Sequence, residues 1–207
     1  MQSSLSTPYQ MIVPALGRFA MRHRESRHRD VRLPLHLASA NMHLDPDFGN
    51  LTYGDSGTHR GKPLTTLGSG DILVFYSGLR PVTPCDHTLI YAVIGLYEVS
   101  ESVRAGSVHP DRSNENAHTR CADLEGSDVI VRAKHGVSGR LKHCIPIGEY
   151  RTGAYRVRHE VLAEWGGLSC RDGYLQRSAV LPRLLEPRRF MDWLERQRPE
   201  LVSANNP

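Results

Sequence analysis

Four polar side chains recur at every second position in one short stretch: Asn114, Asn116, His118 and Arg120. Alternate side chains of an extended segment share a face, so this spacing would present two amides, an imidazole and a guanidinium together. Amides read base edges, a guanidinium grips phosphate, and an imidazole moves a proton near neutral pH. The stretch therefore offers His118 as an acid/base, with Asn114, Asn116 and Arg120 as contacts to a nucleotide. A polar loop whose side chains cap backbone groups has the same composition, and the alternation holds only if the segment is extended.

A second group lies upstream, in His43-Leu44-Asp45-Pro46-Asp47-Phe48-Gly49-Asn50-Leu51-Thr52-Tyr53-Gly54-Asp55-Ser56-Gly57. Its glycine, asparagine and proline mark a loop, and loops carry function more often than core elements do. Clustered carboxylates such as Asp45, Asp47 and Asp55 could hold Mg²⁺ against phosphate or share acid–base work. Asp45 and Asp55 are the ones expected to assist His118. Turn chemistry explains Asp45-Pro46 and Gly54-Asp55 without any site, and the spacing is not that of an EF-hand. Further along, Gln176, Arg177 and Ser178 follow Tyr174, where an amide, a guanidinium and a ring could meet a base and a phosphate; satisfying buried backbone is the competing role. Arg140 joins Arg120 and Arg177 as a phosphate contact. Tyr53, Tyr76 and Tyr97 are candidates to stack on a base. Tyr76, at a strand end, is the best placed, although strand tyrosines mostly pack.

Other chemistries find no support in spacing. The eleven histidines include no H-x-x-x-H helix motif and no H-E-x-x-H, so no metal is demanded and no cofactor is assigned. Gly68-Ser69-Gly70 lacks the Walker lysine and leads into a strand rather than a helix. Cys85, Cys121, Cys144 and Cys170 form no C-x-x-C pair, and they read as reduced thiols of a cytoplasmic protein. A Cys–His nucleophile stays open, because such partners meet in space and not in sequence. No run approaches the roughly 18 apolar residues of a membrane span.

The elements that must position these groups are legible in the apolar pattern. Gly70-Asp71 turns into Ile72-Leu73-Val74-Phe75-Tyr76, a continuous run of strand length. Leu89 to Val99 is a longer strand, expected to pair with it antiparallel. Gly95 in its middle signals a bulge or a close backbone approach. Asp128 to Ala133 reads as a third strand, and Ser138-Gly139-Arg140-Leu141 as a turn. Val157 to Trp165 fits a helix stopped by Gly166-Gly167. Pro187 to Arg198 fits a second, with proline tolerated at its first position and Phe190, Trp193 and Leu194 on one face. Net charge is +4 over 207 residues, and the basic groups are bunched. Arginines 18, 22, 24, 27, 29 and 32 face only Glu25 and Asp30. Between Arg132 and Arg158, seven arginines and lysines face Glu149 alone. Arginine suits phosphate and guanine, and a solvated surface is the plainer account. The expected organisation is a basic N-terminal arm over 1–34 and one α+β domain over 35–207.

Two resemblances add to this. The 70–76 strand, its loop and Ala92-Val93-Ile94-Gly95-Leu96-Tyr97-Glu98-Val99 resemble the paired strands of PUA-like domains, the superfamily of EVE, ASCH and YTH domains. A wider set looks like the third of the nucleotide-modification-associated domain families, found in bacteria and phages near genes that modify DNA bases. That set comprises His43 to Phe48, Leu51 to Asp55, the 70–76 strand, Asn116-Ala117-His118-Thr119-Arg120, Ser138 to Leu141 and Leu175-Gln176-Arg177-Ser178, and it spans about residues 43–200. The resemblances imply an α+β fold with a mixed or antiparallel sheet curved into a PUA-like barrel, with helices mainly C-terminal. They imply nucleic-acid or nucleotide handling tied to DNA base modification, with DNA ahead of RNA as partner, and no membrane. Three roles stay open: an enzyme acting on a base or nucleotide, a PUA-like reader of modified bases, and a scaffold subunit for partner enzymes of a modification or defence system.

Overall fold

The computed structural model describes residues 8–12, 33–80, 89–120, 126–175 and 181–205. The arginine run over 18–32, Cys85, Cys121 and Gln176-Arg177-Ser178 lie outside those residues.

The long apolar runs form the middle of one sheet. β1 (Thr52–Ser56), β2 (Ile72–Leu79), β3 (Ile90–Arg104), β4 (Asp128–Ala133), β5 (Gly139–Pro146) and β8 (Leu201–Val202) run β1-β4-β3-β5-β8, with β2 also paired to β3. Every pairing is antiparallel. β3 works in two halves. Its first half pairs with β2 and β5, and from Val99 onward it pairs with β4. β6 (Gly148–Arg151) and β7 (Ala154–Val157) make a separate hairpin. Among the described residues the sheet runs out at β1, β2 and β8 and does not close, so the barrel expectation is not met.

The helices are α1 (Leu35–Ala38), α2 (His159–Glu164) and α3 (Pro187–Arg196). α2 stops where the sequence pattern placed its end, at Gly166 and Gly167, whose φ of 75° and 102° suit glycine. α3 begins with Pro187 at its start and buries Phe190, Trp193 and Leu194. These pack on Val93, Leu96, Leu141 and Trp165 in the largest apolar cluster. Each such side chain contributes about 1.5–3 kcal/mol by leaving water. None of the helices among the described residues is long and apolar enough to cross a membrane.

A smaller cluster fixes the loop before β1. Phe48, Phe75 and Tyr97 meet edge-on, with ring centroids 4.7–5.6 Å apart. Gly95 permits this, since a Cβ there would collide with the Phe48 ring; the close approach read from the sequence is real. The Tyr97 hydroxyl, buried with its ring, donates to the Asp47 carbonyl at 2.8 Å. Burial, aided by Asp47 and Asp45, raises the Tyr97 pKa far above the usual phenol range, so it stays a donor. The Asp47 carboxylate accepts from the Gly49 and Asn50 amides and from the side chains of Asn50 and Asn205. Asn205 in turn accepts from the Phe48 amide at 2.7 Å. The C-terminal segment thereby stitches down a loop more than 150 positions away.

Three local expectations are corrected. The 43–57 loop contains a strand, β1, because Thr52 to Ser56 completes the edge of β4. Gly139 to Leu141 is not a turn but the start of β5; Gly139 faces the Val202 backbone so closely that a Cβ would sit 2.8 Å from its carbonyl oxygen. Residues 113–120 form consecutive turns and bends, not an extended segment, so the alternation of Asn114, Asn116, His118 and Arg120 does not place them on one face.

Candidate functional site

The turn that carries His118 is bolted to β1 and β4 by polar contacts. Asn116, fully buried, accepts the His118 amide on Oδ1 at 2.9 Å and donates from Nδ2 to Thr52 Oγ1 at 3.1 Å. Thr52 Oγ1 donates to the Glu115 carbonyl at 2.8 Å. The Glu115 carboxylate takes Arg132 of β4 at 2.6 Å and Arg112 at 2.9 Å, and Arg132 also reaches Glu101 of β3 at 2.8 Å. Gly54 of β1 supplies the space. A Cβ on it would lie 2.6 Å from Asn116 Oδ1 and 2.9 Å from His118 Cγ. The Gly54 amide donates to Asp45 Oδ1 at 2.8 Å, which leaves Asp45 Oδ2 for other partners.

Around His118 these constraints assemble a cluster. Its Nδ1 lies 2.7 Å from Asp128 Oδ2, at the first residue of β4. Its Nε2 faces Asp45 Oδ2 at 3.5 Å. His43 Nε2 stands 3.9 Å from the same Asp45 oxygen, and the two imidazoles meet edge-on at 5.2 Å. The side chains of Asp45, Asp128 and His118 are 9, 13 and 20 % exposed, and that of His43 is 54 % exposed. The cluster is therefore sheltered on three sides and open at His43. Asp45 and then Asp128 push the His118 pKa up to about 9, against the opposing effect of burial. Asp128 makes the shorter contact and is the orienting partner: by accepting from Nδ1 it directs Nε2 toward Asp45.

Of the residues singled out in the sequence, the structure brings together Asp45 and His118. Two members of the cluster were missed. His43 had one signal, its spacing of two from Asp45; Asp128 had none, since only β-sheet pairing carries it to His118. Asn116 lies against His118 and holds its amide; the others are placed elsewhere. Asp55 lies on the opposite face of β1 from the Gly54 side that His118 covers, and accepts from the Tyr53 hydroxyl at 3.2 Å. Tyr53 packs on Phe75 at 5.4 Å. Asn114 is exposed, and Arg120 is partly buried at the end of the described turn. Arg140 donates to the carbonyls of Ala204 and Leu141, which fastens the C-terminal segment. Tyr76 donates to the Leu175 carbonyl at 3.0 Å. It lines a cavity of about 1340 Å³ between β2 and α3, walled by Ile72, Val74, Phe190 and Met191. That cavity contains no member of the His118 cluster, and its walls include Leu175 and Leu181, which bracket the undescribed residues 176–180. The cavity also has His59, Lys62, Asp71, Arg183, Arg188 and Asp192 in its lining, but the hydrogen-bonded imidazole–carboxylate arrangement is the one at His118.

Compared with known proteins, residues 6–173 match the family described as nucleotide modification associated domain 3, and this range includes every member of the cluster. No curated protein and no solved structure matches the chain.

Proposed function

We propose, on the premise that the chain belongs to the nucleotide modification associated domain 3 family, that it is an enzyme acting on a nucleotide or on a DNA base, with His118, Asp45 and Asp128 at its centre. One observation carries this reading: an imidazole held between two carboxylates, at 2.7 and 3.5 Å, where the cluster opens to solvent. Asp128 fixes the ring, and the Nε2 edge and Asp45 Oδ2 are the atoms left to face a substrate. A positioned imidazole–carboxylate pair is the standard equipment for moving a proton to or from a reacting group. Holding it in place takes a fully buried asparagine, a glycine without steric alternative and a half-buried arginine–glutamate pair. A core position would not need that orientation.

The non-catalytic reader would rest on an aromatic pocket for a flipped base. Against it, Tyr97 is buried, Tyr53 packs on Phe75, and the Tyr76 hydroxyl is engaged by Leu175. The enzyme reading is tested with the full chain, free nucleotides, and single- and double-stranded DNA as substrates. His118→Ala should lower turnover by about 10²–10⁴-fold while nucleotide binding changes little. Turnover unaffected by His118→Ala, or binding with no turnover on any of these substrates, would sink the reading.

A further inference from the structure

No spacing in the sequence assigns a metal, yet three ligand atoms from distant segments converge. His43, Asp45 and His118 each offer one ligand atom, and the three atoms lie within 4.8 Å of one another. Ligands of a tetrahedral ion, bonded at about 2.0–2.2 Å, stand roughly 3.3 Å apart. The His118–Asp45 pair is already at 3.5 Å and the His43–Asp45 pair at 3.9 Å. Closing the set needs only a small swing of His43, and that side chain is the exposed one.

The surroundings are those a metal centre needs. A ligating histidine nearly always donates its second ring nitrogen to a carboxylate or carbonyl, which fixes the tautomer and aims the other nitrogen. Asp128 sits 2.7 Å from His118 Nδ1 and does this. Asp45 is fixed in the same way, with Oδ1 held by the Gly54 amide and Oδ2 turned into the cluster. These are two independent second contacts, one behind each of the two sheltered ligands.

We propose that His43, Asp45 and His118 bind one divalent transition-metal ion, with Asp128 as the outer partner of His118. The inference rests on reading this cluster as the working centre of the protein. Two imidazoles and one carboxylate suit zinc, iron or cobalt, whereas magnesium and calcium favour oxygen throughout. Three protein ligands with an open side are the pattern of a catalytic rather than a structural ion. An ion there supplies a Lewis acid beside the opening through which a phosphate or base oxygen would enter. With the ion bound, the Nε2 lone pair is taken, so His118 serves as a ligand rather than as the proton carrier, and His118→Ala lowers turnover in either case.

The test uses the full chain stripped with chelator, titrated with Co²⁺ and followed by visible absorption and calorimetry. One equivalent should bind. His43→Ala should weaken binding by more than about 100-fold, and Asp128→Asn by about 10–100-fold, the range for an outer partner. His109→Ala should change nothing, although His109 and Asp111 form an exposed His–Asp pair at 3.3 Å. Circular dichroism checks folding, and His43→Ala keeps the test decisive because that side chain is half exposed. Binding that survives His43→Ala, or that His109→Ala weakens equally, overturns the proposal. Nucleotide turnover that persists in chelator and in His43→Ala overturns the ion and leaves the enzyme reading standing. Stoichiometric, His43-dependent binding without turnover upholds the ion and sinks the enzyme reading.

Discussion

Around α2 and α3, Val93, Leu96, Trp165, Phe190, Trp193 and Leu194 bury against one another. The arginines nearby sit at the rim of this cluster and bond both carbonyls and carboxylates: Arg189 reaches Ala163, Glu164 and the Glu186 carboxylate, Arg156 reaches Arg151, Arg171 and Asp172, and Arg158 reaches Pro146 and Glu160. Around His118 the balance reverses. The contacts there are a buried one, Asn116 to Thr52, and two part-buried ones, Glu115 to Arg132 and Asp45 to the Gly54 amide. Apolar packing depends on shape and volume and carries no directional bond, so it builds stability without aiming a polar group. Hydrogen bonds and paired charges are directional, so they hold an imidazole edge at a chosen angle. Directional contacts of this kind mark the polar end as the place for chemistry, although the cavity of about 1340 Å³ lies at the apolar one.

The largest expected effect breaks the apolar end. Phe190→Ala should cost about 3–5 kcal/mol in chemical denaturation, yet cobalt affinity of the folded protein should stay near wild type. A parallel loss of affinity would mean that the two ends are coupled after all. Gly54→Ala attacks the polar end by steric means and should cost about 1–3 kcal/mol. It must also displace His118, so cobalt binding and turnover should fall together; retention of both would show that the ring relocates at no cost. Asn116→Ala leaves the His118 amide and Thr52 Oγ1 short of partners in a buried place, for about 1–3 kcal/mol. It sharpens the comparison if binding falls more steeply than stability does, as thermal melts with and without cobalt would report. Lys142→Ala removes an exposed pair with Glu200 at 2.9 Å. It should change stability by less than about 1 kcal/mol and leave the site untouched; a larger drop in the melt would show that the β5–β8 edge depends on it.

How much was legible differs between the ends in the same way. Ile72 to Tyr76, Leu89 to Val99 and Asp128 to Ala133 read as strands because continuous apolar runs between turn signals have few other fates. Pro187, Gly166 and Gly167 marked helix limits by backbone chemistry that needs no tertiary context. The polar stretch from Asn114 to Arg120 misled, because alternation carries meaning only in an extended chain and here the chain turns. Asn116 and Arg140 have the side chains of nucleotide contacts, and in the structure both hydrogen-bond within the fold. Asp55 shares a loop with Asp45 yet points the other way, since one residue of displacement along a strand reverses the face.

The sequence alone determined the antiparallel pair β2–β3, the third strand β4, the stops of the C-terminal helices and a resemblance that the family match upholds. It also put Asp45 and His118 forward, because loop carboxylates and a histidine among amides are chemically conspicuous wherever they fall. Long-range contacts settled the rest: that the sheet stays open among the described residues, that Asn205 closes the loop before β1, and that His43 and Asp128 join His118. The physical reason is common to all three. Each depends on pairing between strands and on single directional contacts across the chain, and neither leaves a periodic trace in the residues that make it.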